Sequence, residues 1–195
     1  MWFILFLIVI GITFMVVDAL NKNKSNQSSL NNLLQGERVT KIHRNNVTNT
    51  SLFYNEDNNE IGVITDNRKN KIKHKDILQV ELTEDESSLT RTKRGSQAAG
   101  VAIGSLLGVA GAVIGGLSAK QEHISKVRKI GLRLVVNDTS NPVREVTLHN
   151  FGVLRDKDSE EYQTAYKESY EWFKLIEVLI HQADKEDESQ VSTVN

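Results

Sequence analysis

The stretch Gly95–Ala119, GSQAAGVAIGSLLGVAGAVIGGLSA, decides how the rest of the chain is read. It carries no charge and holds seven of the chain's twelve glycines. Such a segment makes a poor helix in water, because each glycine costs about 1 kcal/mol relative to alanine. The glycines are nevertheless sorted. At about 100° per residue, Gly100, Gly104, Gly108, Gly111 and Gly115 fall within an arc of roughly 80°. Ile103, Leu106, Leu107, Val109, Val113, Ile114 and Leu117 fall outside that arc. A flexible linker needs no such sorting. The pattern is a glycine zipper, a smooth face on which a second backbone approaches closely.

The flanks limit its topology. Arg91, Lys93 and Arg94 precede it and Lys120, Lys126, Arg128 and Lys129 follow, so both ends carry the charge of a cytoplasmic flank. A single crossing would put the preceding and following strands on opposite sides of a membrane. A helical hairpin, Gln97–Leu107 and Val109–Ser118 turning near Gly108, avoids this by dipping into one leaflet or packing on a partner. A full span with split halves and a single soluble packing helix are the alternatives.

Strand patterns lie on both sides of the segment. Before it come Ser51–Tyr54, Glu60–Thr65, Lys71–His74, Asp76–Leu82 and Ser88–Arg91, separated by Asn- and Asp-rich turns. In the fourth, Leu78, Val80 and Leu82 share one face and Gln79 and Glu81 the other. After it, Ile130, Leu132, Leu134 and Val136 alternate with Gly131, Arg133 and Val135. Asn137–Pro142 is a turn and Val143–Leu148 the last strand. The period then changes to 3.6. Tyr162, Ala165, Tyr166, Ser169, Phe173, Ile176, Leu179, Ile180 and Ala183 form one helical face, with Asp158 or Ser159 as N-cap. Both strand sets are expected to share one core, so the domain should fold with Gly95–Ala119 cut to a short polar turn.

The run DILQVELTEDESSLTRTKRGSQAAG, followed by KIGLRLVVNDTSNPVREVTLHN, resembles a family of bacterial and phage membrane-associated proteins. These have a pleckstrin-homology-like (GRAM-like) domain interrupted by a glycine-zipper segment. The matching residues are Asp76, Ile77, Val80, Glu81, Leu82, Glu84, Asp85, Ser88, Thr90, Arg94 and Gly95, then Asn137, Asp138, Asn141 and Pro142. The resemblance implies an α+β fold, an antiparallel barrel with a C-terminal helix plugging one end. Many relatives carry an N-terminal zinc ribbon, whereas this chain has no cysteine and starts with an apolar run. The superfold hosts unrelated roles, so it implies fold more than function.

That apolar run, Met1–Val17, reads as an uncleaved membrane anchor. It is uncharged, spans about 25 Å as a helix, and is a little shorter than the ~30 Å hydrocarbon core. No Lys or Arg precedes it and no small-x-small site follows, which argues against a cleaved signal peptide. Lys22 and Lys24 follow it, so the body of the protein is expected in the cytoplasm. The expected layout is an anchor over residues 1–20, a polar tether over 21–50, the β domain over 51–183 with its insertion at 95–119, and a polar tail over 184–195.

Composition and spacing narrow the chemistry. The 195 residues carry 24 Lys+Arg against 25 Asp+Glu, which gives no sign of nucleic-acid binding. The absence of cysteine removes disulfides and thiolate chemistry. His43, His74, His123, His149 and His181 have no metal-ligand spacing, no P-loop or G-x-S-x-G motif occurs, and neither a metal nor a cofactor is expected. The Glu84–Glu86 and Asp184–Glu188 runs read as solvated loops. Lys69, Lys71, Lys73 and Lys75 alternate onto one face that would suit lipid head groups, and Tyr170 and Trp172 leave the main helical stripe as contact candidates. The expectation is a non-enzymatic membrane protein whose partners are membrane lipid, a second copy or another membrane protein. Phage superinfection exclusion is the role analogy suggests, and a holin-like oligomer is the alternative.

Overall fold

The structure, a computed structural model, describes residues 13, 15, 17, 24, 27–85, 87–95 and 126–193. The strands are β1 (Val39–Asn45), β2 (Thr50–Asn55), β3 (Glu60–Thr65), β4 (Arg68–Lys73), β5 (Ile77–Glu84), β6 (Ser87–Lys93), β7 (Lys126–Val136) and β8 (Val143–Asp156). A single 3-10 turn, His74–Asp76, joins β4 to β5, and one long helix, α1 (Glu160–Thr193), follows β8. All pairings are antiparallel.

Strands β1 to β4 form a meander with the order β1-β2-β3-β4. Its turns use the residues that tolerate positive φ. Asp66 and Asn67 have φ 51° and 60°, the two-residue hairpin geometry that matches strand twist. The second sheet has the order β6-β5-β7-β8. Between the sheets lies one core, built from Leu52, Ile61, Ile72, Val80, Leu82, Ile130, Leu132, Leu134 and Leu148, closed by Trp172, Phe173, Ile176 and Ile180 of α1. A smaller cluster, Leu30, Phe53 and Ile64, lies where the helical residues 27–34 pack on the first sheet.

Four expectations change. The β domain is not a closed barrel but two four-stranded sheets. The tether is only partly free: residues 27–34 are helical and β1 is a strand of the first sheet. Sequence reasoning missed β1 because its inward residues are the polar His43 and Asn45, while Ile42 is exposed. In β5 the predicted face breaks at Leu78, which is exposed while Ile77 is buried, because an irregularity between Ile77 and Gln79 shifts the register with β7. The helix runs on to Thr193, through most of the expected polar tail.

Of the expected anchor Met1–Val17, only Thr13, Met15 and Val17 are described, and they are helical. The rest of that run lies outside the described residues. Among the described residues no helix is long and apolar enough to cross a membrane. Gly100, Gly104, Gly108, Gly111 and Gly115 also lie outside the described residues.

The strands on either side of the insertion constrain it. β6 and β7 both pair with β5, one on each side. A single membrane crossing would separate β6 from β7, which the shared sheet rules out. The two ends are also far apart. Lys93 lies opposite Gln79 at the start of β5, while Ile130 lies opposite Glu84 at its end, with Lys126 four residues further on. At about 3.3 Å per residue the ends are separated by roughly 30 Å along the strands. The insertion is therefore a crossover between parallel strands, not a local excursion.

Gly131 shows why one residue type matters in β7. A Cβ there would lie 2.7 Å from the Val146 carbonyl oxygen, beside the register shift between Ile130 and Gly131. Gly131→Ala is expected to cost about 2 kcal/mol by forcing β8 away. Urea unfolding of the variant checks this, and an unchanged midpoint contradicts it.

Candidate functional site

Two features set this domain apart: the carboxylates that root the insertion, and the corner where β1 meets β8.

Both roots are held by carboxylates. At the entry, Arg94 Nε donates to Asp184 Oδ1 at 3.2 Å, Arg94 Nη2 to Asp187 at 2.5 Å, and the Gly95 amide to Asp184 Oδ2 at 2.9 Å. Arg94 Nη1 also donates to the Lys75 carbonyl. Gly95 has φ +71°, a conformation that favours glycine. At the exit, the amides of Arg128 and Lys129 donate to the Asp85 carboxylate at 3.0 and 2.9 Å. Next to it, Glu84 is buried, accepts the Tyr162 hydroxyl, and pairs with Lys157 at 2.5 Å. Burial and then Glu84 push the Tyr162 hydroxyl far above its ordinary range, so it stays a donor. The acidic runs expected to be solvated loops thus contain the residues that fix the insertion. Asp85, Arg94 and Gly95 are among the motif residues, and the hydrogen bonds give them a structural reason.

The corner explains why the barrel stays open. No backbone ladder joins β1 to β8, and side chains bridge them instead. His43 Nε2 donates to the Leu148 carbonyl at 2.7 Å and Asn45 Nδ2 to the Thr147 carbonyl at 3.1 Å. His43 Nδ1 faces Glu168 Oε1 of α1 at 2.7 Å, and His149 Nε2 lies 3.3 Å from Glu168 Oε2. The two imidazoles meet edge to face with centroids 4.9 Å apart. Burial, then the neighbouring His43, hold His149 below its ordinary pKa, against the opposing pull of Glu168. Spacing in the sequence could not reveal this group, because its members come from β1, β8 and α1.

The expected lysine face is largely neutralised. Lys69 Nζ donates to the Leu33 carbonyl at 2.7 Å and pairs with Glu37 at 2.9 Å. Lys71 pairs with Glu60 at 2.7 Å and Glu37 at 3.2 Å, Lys75 pairs with Glu186 at 2.9 Å, and Lys73 is exposed. Trp172 is fully buried, so it offers no surface contact. It lies about 40° from Ile176 around the helix, and so belongs to the stripe it was expected to leave. Tyr170 is half-buried and stacks against Tyr166 and Phe173.

The Glu37 network makes a pH prediction. Hydrogen bonding from Lys69 lowers the Glu37 carboxyl from about 4.5 to about 2. The folded value lies below the unfolded one, so its contribution is present above about 4.5 and is lost as pH falls towards about 2. Thermal melts of the wild type are expected to drop more between pH 5 and 3 (roughly that window) than melts of Glu37→Gln. Parallel pH profiles would refute the assignment.

The chain is 28% identical over 117 residues to the immunity protein of Bacillus phage SPbeta, covering 56% of each chain. It is also 28% identical over 117 residues to the SPbeta prophage-derived uncharacterized membrane protein YomJ of Bacillus subtilis (strain 168), covering 56% of this chain and 50% of that protein. The chain thus spans about half the length of the curated relatives it matches. No solved structure matches it. The family described as "Glycine zipper containing PH domain" matches residues 38–150, from just before β1 into β8 and across the insertion, and the chain belongs to that family.

Proposed function

We propose that this is a non-enzymatic, membrane-associated interaction protein of phage type that acts in superinfection exclusion. The β domain is the rigid body, and the glycine-sorted segment contacts a second copy or a membrane protein of the host envelope. The apolar N-terminal run anchors the chain, with the C-terminal domain in the cytoplasm. The observation that carries this reading is the rooting of the insertion. Carboxylates clamp its entry and its exit to one sheet, which suits an element presented to a partner. The names of the relatives, one an immunity protein and one a membrane protein, support the biological side.

Three measurements test it. Cells producing the chain are challenged with a panel of phages, and plaque formation by related phages is expected to fall. Gly104→Leu with Gly108→Leu is expected to restore plaques and to abolish crosslinked species in membrane extracts, with the β domain still folded. Loss of the close approach, not of helix propensity, explains this, since each change removes a glycine costly in a helix. Full protection and unchanged crosslinking in the double variant would end the zipper reading. A reporter fused at Asn195 tests orientation, and activity of a periplasm- or surface-dependent reporter there reverses it.

A further inference from the structure

We propose that His43, His149 and Glu168 form a divalent transition-metal site of the zinc type, which staples β1 and β8 to α1. The Leu148 carbonyl can only accept, so His43 Nε2 carries a hydrogen. In a neutral ring, Nδ1 then presents a lone pair, and it faces a carboxylate oxygen at 2.7 Å. Two acceptors at that distance require a cation between them, either a proton or a metal ion.

Three further observations favour a metal. His149 Nε2 is buried without a hydrogen-bond partner and lies 3.3 Å from the other oxygen of the same carboxylate. One ligand atom from each of the three residues lies within 4.8 Å of the other two. Tetrahedral zinc with ligands at about 2.0–2.1 Å needs ligand atoms about 3.3 Å apart, so small side-chain rotations suffice. Finally, the Leu148 carbonyl holds the far nitrogen of His43, the outer support that orients a ligating imidazole. Two neutral imidazoles and one carboxylate suit Zn²⁺ or Co²⁺ rather than Mg²⁺ or Ca²⁺, which prefer oxygen. Glu168 is 42% exposed, which leaves the fourth position to water.

The full chain, purified in detergent and stripped with chelator, is titrated with Zn²⁺, Co²⁺ and Mg²⁺. Zn²⁺ is expected to raise the melting temperature, Co²⁺ to give the visible absorption of a tetrahedral nitrogen and oxygen site, and Mg²⁺ to do neither. His149→Gln and Glu168→Gln are each expected to weaken Zn²⁺ binding at least about 100-fold. The Glu168 side chain is 42% exposed and glutamine keeps its shape, so this variant stays folded even where a histidine variant does not. Two results overturn the proposal: a wild type with neither cobalt absorption nor a zinc-dependent melting shift, or a Glu168→Gln chain that keeps the wild-type response.

Discussion

A chain in which Gly95–Ala119 is replaced by a two-residue turn is expected not to fold, whereas a Gly/Ser replacement of about 20 residues keeps both sheets. The reason is geometric. The shortened connection would have its two new residues plus residues 120–125 between Arg94 and Lys126. Fully extended, the nine steps from Arg94 to Lys126 reach about 30–32 Å at about 3.3–3.6 Å each. The ends are already about 30 Å apart along β5, and the path must also cross two strand spacings of about 4.8 Å each while leaving the plane of the sheet. β7 therefore cannot dock, and Ile130, Leu132, Leu134 and Val136, all buried, leave the core. Burying such side chains is worth about 1.5–3 kcal/mol each, so losing four removes about 6–12 kcal/mol, comparable with the whole stability of an ordinary domain of about 5–15 kcal/mol. The long linker adds little cost, because closure entropy grows slowly with length. Circular dichroism and urea unfolding of the two full-length variants decide it. A short-turn chain with native cooperativity would show that β6 and β7 do not flank β5. This replaces the sequence-based expectation that a short turn suffices, which treated the insertion as a local excursion.

Legibility in the sequence followed burial of apolar side chains. β3 appears at its observed limits, and the alternation Ile130, Leu132, Leu134, Val136 matches the buried face of β7. The helical stripe from Tyr162 to Ala183 is the face α1 turns to the core, and Ser159 caps it through Oγ, which accepts from the Tyr162 amide at 3.3 Å. Polar burial was not legible. Glu81 points away from the core but is buried on the outer face, between Arg91 at 2.7 Å and Arg133 at 3.2 Å. Glu84 and Asp85 look like a solvated acidic run until β7 and α1 are placed beside them. The β1–β8 corner was invisible for the same reason: His43, His149 and Glu168 lie far apart in the chain, and each has an ordinary neighbourhood in sequence. Three-dimensional convergence of polar groups leaves no period to read.

Gly62 carries the other large expected effect. It lies opposite Phe53 across β2 and β3, and a Cβ built there would lie 2.0 Å from the Phe53 ring. The ring therefore lies over the glycine, covering backbone that no side chain of its own protects. Phe53 is fully buried, and the helical residues 27–34 cover it through Leu30. Gly62→Ala must push the ring out of this cluster, at an expected cost of about 3 kcal/mol. Phe53→Ala is expected to cost about 3–5 kcal/mol. The two changes should not add, because they act on one contact. Once the ring is gone, the methyl group at position 62 meets open space, and alanine loses less backbone entropy in a strand than glycine. In the Phe53→Ala background, Gly62→Ala is therefore expected to be neutral or to stabilise by a few tenths of a kcal/mol. A double-mutant cycle from urea unfolding reads this reversal of sign directly. If Gly62→Ala destabilises equally in both backgrounds, the ring is not what glycine makes room for, and the reason for glycine at this position lies in the backbone of β3 itself.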